Sequence, residues 1–207
     1  MFRAARDNCV TPPLNWNGLP LFGVPCPLHR EEGPMDRPYN MLFISRRNSA
    51  RSLMAEAVVN RHGNGRFHAF SAAVEPAAEV DATTLQVLAQ VGYPTEGLRP
   101  KHWREFSEPD APVFDFVYTL SDTASREAFR DWPGKPVSSH WRYPDPLKAT
   151  GDEWQRRREF GRTLVALERQ MRVFMQLPLA RLDAIALKTH LNEIGIEQAE
   201  ASDAQAS

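Results

Sequence analysis

The chain has 207 residues, a quarter of them charged, with 25 Lys and Arg against 26 Asp and Glu and a formal net charge of −1. That length suffices for one domain with extensions and a real core, and the balanced charge makes no electrostatic case for nucleic acid or a membrane surface. No apolar run approaches the ~20 residues of a membrane span, and the only cysteines, Cys9 and Cys26, make neither a disulfide framework nor a metal site.

Residues 1–38 carry Pro12, Pro13, Pro20, Pro25, Pro27, Pro34 and Pro38 without a sustained period, which predicts an irregular leader. Met35 is a candidate start. The leader has no continuous apolar stretch of a signal peptide, so the expected location is the cytoplasm. The domain is expected over 39–195. Met41–Ile44 is a buried-type strand. Ser45–Ser52 follows as a loop, and a helix is expected from Asn48 or Ser49 to about Asn60, with Gly63 and Gly65 as stop signals. Phe67–Ala72 is a short strand. Asp81 is placed to cap a helix carrying Leu85, Leu88 and Val91, with Gly92 as its C′ glycine. Phe114–Leu120 and Val137–Trp141 are the third and fourth strands. Asp152 opens a long helix through Phe160, Leu164, Leu167, Met171 and Phe174, which Pro178 ends. A last helix is expected from Leu179 to about Ile194, stopped by Gly195, and 196–207 read as a flexible tail. Alternating strands and helices predict a parallel α/β sheet. Ligands of such sheets bind at the carboxyl ends of strands, where the Ser45 loop falls.

Strand, tight loop and helix together can cradle a phosphate-sized anion, because loop N–H groups and the helix N-terminus point at one spot. The candidate cradle is Ser45, Arg46, Arg47, Asn48, Ser49, Ala50, Arg51 and Ser52. Arg51 adds a planar fork of donors, or else hydrogen-bonds carbonyls and helix ends. Asn48 and Ser49 read first as turn and capping residues, and Ser52 as a residue that orients the loop. Arg46 and Arg47 are either solvated charge or a steering patch. Asp145, between two prolines, is either an acid or a turn residue. Arg156, Arg157 and Arg158 read as the outer face of the long helix. Trp103, Trp132, Trp141 and Trp154 read as core or rim packing, and His102, His140 and His190 as surface or structural residues rather than metal ligands.

The loop resembles the Cys-(x)5-Arg-Ser loop of low-molecular-weight tyrosine phosphatases and of the arsenate reductases that share their fold, with Ser45 where the family has its cysteine. Further segments carry the resemblance. Phe70-Ser71-Ala72-Ala73-Val74-Glu75-Pro76 is similar to Ser-Ala-Gly-x-x-Pro, and Gly97-Leu98-Arg99-Pro100-Lys101-His102-Trp103 to Leu-Arg-Ser-Lys. Thr119-Leu120-Ser121-Asp122-Thr123-Ala124 is similar to Thr-Leu-Cys-Asp-x-Ala. His140-Trp141-Arg142-Tyr143-Pro144-Asp145-Pro146 resembles His-Trp-x-x-x-Asp-Pro, and the Phe174 to Asp183 stretch the tail of the reductase branch.

This resemblance implies a three-layer α/β sandwich around a central four-stranded parallel sheet. It also implies a mechanism in which a thiolate attacks, an arginine and loop N–H groups hold the oxyanion, and an aspartate protonates the leaving oxygen. Arg51 and Asp145 match the last two roles, and Ser45 does not match the first. Ser121 and, by spacing, Phe129 stand where the reductase branch has its two redox cysteines. The implied function is binding of phosphate, arsenate or a similar oxyanion without thiol catalysis, with no cofactor or metal, and with a phosphorylated protein as a further candidate partner. Two alternatives stay open. One is an active hydrolase that uses Ser45 or water with Asp145 as acid; the other is an interaction module with a vestigial loop.

Overall fold

Four apolar segments form the sheet, and their side-chain period explains its two covered faces. The computed structural model describes residues 37–108, 110–127, 132–179 and 189–195. Strands β1 (Tyr39–Ser45), β2 (Phe67–Ala73), β3 (Phe116–Thr119) and β4 (Val137–His140) lie in the order β2-β1-β3-β4, with every neighbouring pair parallel. Alternate residues of a strand point to opposite faces. Met41 and Phe43 therefore join one core cluster, and Leu42 and Ile44 the other. The first cluster packs against helices α1 (Arg51–His62), α2 (Ala82–Gln90) and α4 (Glu153–Met175). The second holds Phe114, Trp132 and Ala124 of α3 (Asp122–Glu127), with Phe70, Trp103 and Phe106 against it. This is the expected three-layer sandwich. All the described residues belong to one compact unit, Met35–Ser207.

Local chemistry sets the element ends. Asp81 caps α2 by accepting from the N–H groups of Thr83 and Thr84, and Gly92 follows the helix at φ 78. Asp152 and Gln155 form a reciprocal capping box at the start of α4. Helix α1 begins at Arg51, later than Asn48 or Ser49, because Asn48 sits at φ 49, outside helical geometry. Strand β3 is shorter than Phe114–Leu120 because its register matches only Met41–Ile44 of β1. At its entry, Asp115 turns its carboxylate to the N–H of Asn40 and to Arg37, at 2.8 Å for each closest contact. The domain is therefore anchored from Arg37 onward. Helix α3 and the single 3-10 turns at Trp103–Phe106 and Pro146–Lys148 carry no sequence period and were not expected.

Three side-chain expectations change. Arg156 and Arg157 are half-buried and face α2, where Arg156 approaches Asp81 and Arg157 reaches Gln86 as well as Glu153; only Arg158 lies outward, over the ring of Trp154. Trp154 is 66% exposed, whereas Trp141 and Trp132 are core residues. Asn48 does far more than fill a turn, as described below. Of the last expected helix, 189–195 are described and helical. Leu191 O accepts the Trp141 indole N–H at 3.0 Å, and Ser139 donates to Asn192. The expected leader (except Arg37 and Pro38), the expected tail, Cys9, Cys26 and Phe129 lie outside the described residues. Among the described residues no helix is long and apolar enough to cross a membrane, and no group of His, Cys, Asp and Glu could hold a metal ion.

Candidate functional site

The Ser45–Ser52 loop leaves the carboxyl end of central strand β1 and runs straight into α1. Four of its carbonyls are turned one way. Those of Ser45, Arg46, Arg47 and Ser49 accept from the N–H groups of Val74, Glu75, Ala77 and Asp81, and Thr84 Oγ1 adds a second bond to Ser49 O at 2.9 Å. In a trans peptide the C=O of one residue and the N–H of the next point in opposite directions. The N–H groups of Arg46, Arg47, Asn48 and Ala50 therefore point away from the 74–81 segment. Asn48 N–H demonstrates it, reaching Ser45 Oγ at 3.1 Å. The first turn of α1 has no side-chain cap and no acidic residue, so its free N–H groups and dipole add to the same positive patch.

Asn48 pins this shape. Its left-handed backbone turns the loop, and its fully buried amide makes three bonds of 2.8 Å: to Ser52 Oγ, to Ser71 Oγ and from Lys101 N–H. Ser71 Oγ donates a hydrogen bond to Glu56, which is paired with Lys101 Nζ at 3.1 Å. Ser45 Oγ and Ser52 Oγ lie 2.8 Å apart. The sequence reading missed Glu56, Ser71 and Lys101 as supports of the loop. Glu56 was open to discovery, because a carboxylate among Leu53, Met54, Ala55, Ala57 and Val58 on a buried helix face demands a partner.

Arg51 is 8% exposed. Its Nη1 donates to the carbonyls of Leu120 and Tyr143, each at 3.0 Å, and its Nη2 meets Asp145 Oδ2 at 3.0 Å. Burial lowers its pKa, opposed by Asp145 and Asp122. An arginine remains charged under such a shift, so Arg51 is a buried cation with a carboxylate beside it. Asp145 also receives the N–H of Leu147 at 3.3 Å, so it caps a turn as well as facing Arg51. The fold thus brings Arg51 and Asp145 together, as the sequence reading required.

A cleft of about 430 Å³ opens beside them, lined among others by Arg46, Arg51, Ser121, Arg142, Asp145 and Lys148. Ser45, Asn48, Ser49, Ala50 and Ser52 are buried and do not line it. Arg46 and Arg47 are exposed, Arg46 against Glu75 at 3.0 Å. His140, the histidine nearest the cleft in sequence, has both ring nitrogens committed, to Thr119 Oγ1 at 2.8 Å and to Asp122 at 3.3 Å. Around Ser45 Oγ the described partners are Ser52 and the Asn48 N–H. Neither can remove a proton from a hydroxyl.

A family model described as low molecular weight phosphotyrosine protein phosphatase matches residues 40–185. No curated protein matches the chain in sequence. Among solved structures, an arsenate reductase in the phosphate binding state is 21% identical with a TM-score of 0.51, over 66% of this chain and 96% of its own. The same enzyme class in an oxidized state gives 22% identity and a TM-score of 0.53, over 66% and 95%. A YwlE mutant from Bacillus subtilis gives 17% and 0.51, over 67% and 97%. At these identities the likeness is one of fold.

Proposed function

Since the chain belongs to the low molecular weight phosphotyrosine protein phosphatase family, we propose that it binds a phosphate-type oxyanion in the Ser45–Ser52 loop and carries out no thiol-based catalysis. The observation that supports this most is the orientation of the loop: carbonyls tied outward to 74–81, N–H groups turned the other way, and an uncapped helix end behind them. The buried Arg51 adds the fork that a tetrahedral oxyanion edge fits. Ser45 stands where the family resemblance puts a cysteine, and a hydroxyl without a base stays protonated near neutral pH. The absence of a base among the described partners of Ser45 Oγ weighs against a serine hydrolase.

Binding requires Arg51 to exchange part of its contact with Asp145 for the ligand. Asp145 then stands at the rim, able to accept from a protonated oxyanion. Calorimetric titration with inorganic phosphate tests the reading. Wild type is expected to bind at or below millimolar concentration, and Arg51→Ala to lose binding by at least a hundredfold, the scale of a buried bidentate charge contact. Wild type that gives no signal at several millimolar, or Arg51→Ala that binds equally well, would leave an interaction module with a vestigial loop as the better description.

A further inference from the structure

The backbone N–H of Lys101 fixes the direction of the hydrogen bonds that the Asn48 amide makes beside Ser45. Lys101 N–H donates to Asn48 Oδ1, which fixes the amide so that its nitrogen faces Ser52 and Ser71 and donates to both. Ser52 Oγ therefore accepts from Asn48. Either hydroxyl could donate across the 2.8 Å between Ser52 Oγ and Ser45 Oγ. Ser52 is the more deeply buried, 0% exposed against 3% for Ser45, and we assign the shared proton to it because it has no other acceptor among the described contacts. Ser45 Oγ thus accepts twice, from Ser52 and from the Asn48 N–H at 3.1 Å. A hydroxyl oxygen has two acceptor positions and one proton. Both acceptor positions are filled, and the proton of Ser45 is left without a partner. Ser45 Oγ itself lies where the Asn48 N–H points, and the carbonyls of Ser45, Arg46, Arg47 and Ser49 are turned to the 74–81 segment.

We propose that Ser45 is a hydrogen-bond donor to the bound oxyanion, so that the loop is a reversible receptor for an inorganic tetrahedral oxyanion of the phosphate type. This rests on the anion-binding reading above and gives Ser45 a specificity role in place of a nucleophilic one. A neutral hydroxyl adds a donor at the point where a thiolate would add a second negative charge. Like charges at contact distance repel, so serine favours the deprotonated ligand where an ionised cysteine disfavours it. The loop N–H groups and the α1 dipole would promote that ionisation in a cysteine.

Calorimetry with inorganic phosphate at pH 6 and pH 8 on wild type, Ser45→Ala and Ser45→Cys tests the assignment. Ser45→Ala is expected to bind about ten- to a hundredfold more weakly at both pH values, the scale of one charge-assisted hydrogen bond. Ser45→Cys is expected to fall further behind wild type at pH 8 than at pH 6, because its thiolate then faces the dianion in place of the monoanion. Ser45→Ala within twofold of wild type overturns the donor role. A Ser45→Cys deficit that is the same at both pH values overturns the charge argument, that serine favours the deprotonated ligand. If Ser45→Ala does not fold, Ser45→Gly removes the same donor and is read by the same criterion. Absence of phosphate binding by wild type would instead overturn the anion-binding reading itself, and is distinguishable on that ground.

Discussion

Asn48 combines two contributions that a substitution would remove together. Asn48→Ala places an ordinary residue at φ 49, at a cost of about 1 kcal/mol. It also strips three buried hydrogen bonds, leaving Lys101 N–H and two hydroxyls short of partners, at about 2–4 kcal/mol. A thermal midpoint about 6–15 °C below wild type is expected by calorimetry; a shift under 2 °C would mean that the network contributes nothing. Ser45→Cys is the second test at this scale. It is expected to create measurable hydrolysis of an aryl phosphate where wild type shows none, because Arg51 and Asp145 are already in contact beside the cleft. Equal rates for the two proteins would place the divergence in the geometry of the loop as well as in its first residue. The site was legible in sequence where spacing alone defines it, as for Ser45 to Ser52 and Arg51. Glu56, Ser71 and Lys101 were not, because their meeting depends on α1, β2 and the segment before Trp103 coming together, which no local pattern encodes.

Helix α1 is held at its first two turns by charge as well as by packing. Glu56 and Lys101 are paired at 3.1 Å with side chains 13% and 10% exposed. Lys101→Met would leave the carboxylate buried and uncompensated, which costs about 3–5 kcal/mol. Adding Glu56→Gln to that variant removes the orphan charge and is expected to recover at least half of the loss; denaturant unfolding of the two single and one double variant measures it. A Lys101→Met variant as stable as wild type would show the pair to be idle. Elements with strong signals, such as the capped α2 and α4 and the β1 strand, were legible in the sequence to within a few residues. Helix α3 and the two 3-10 turns were not, since six residues or fewer give neither period nor a full set of caps. The long helix was found, but its Arg156–Arg157 face was assigned to solvent; a charge run reads as outward until a neighbouring helix supplies Asp81 and Gln86.

Across the whole molecule, burial of phenols gives an alkaline signature. Burial raises Tyr118 and Tyr143 far above their ordinary value, and burial with Glu168 raises Tyr93 to about 12. A phenol whose folded pKa exceeds its unfolded value of about 10 supports the fold while protonated. That contribution is complete below about pH 10 and is lost as pH climbs from there through the folded value. Ultraviolet titration of the native protein at pH 11 is therefore expected to find Tyr118 and Tyr143 un-ionised and Tyr93 mostly so, the two buried phenols ionising together with unfolding. Gradual ionisation of Tyr118 and Tyr143 between pH 9 and 11 in protein that stays folded would contradict the packing around them.

The contact between Trp141 and 189–195 also bears on synthesis. Leu191 O takes the indole N–H, and a side chain at Gly195 would meet Trp141 Cδ1 at 2.8 Å. Trp141 in turn packs tilted against Tyr118 and edge-on to Phe174 in the core. A ribosome-bound chain that has exposed the whole sheet still lacks this cover until residue 195 clears the exit tunnel. Completion of the packing around Trp141 therefore waits on a carbonyl 50 residues further along the chain, after every strand of the sheet has been translated.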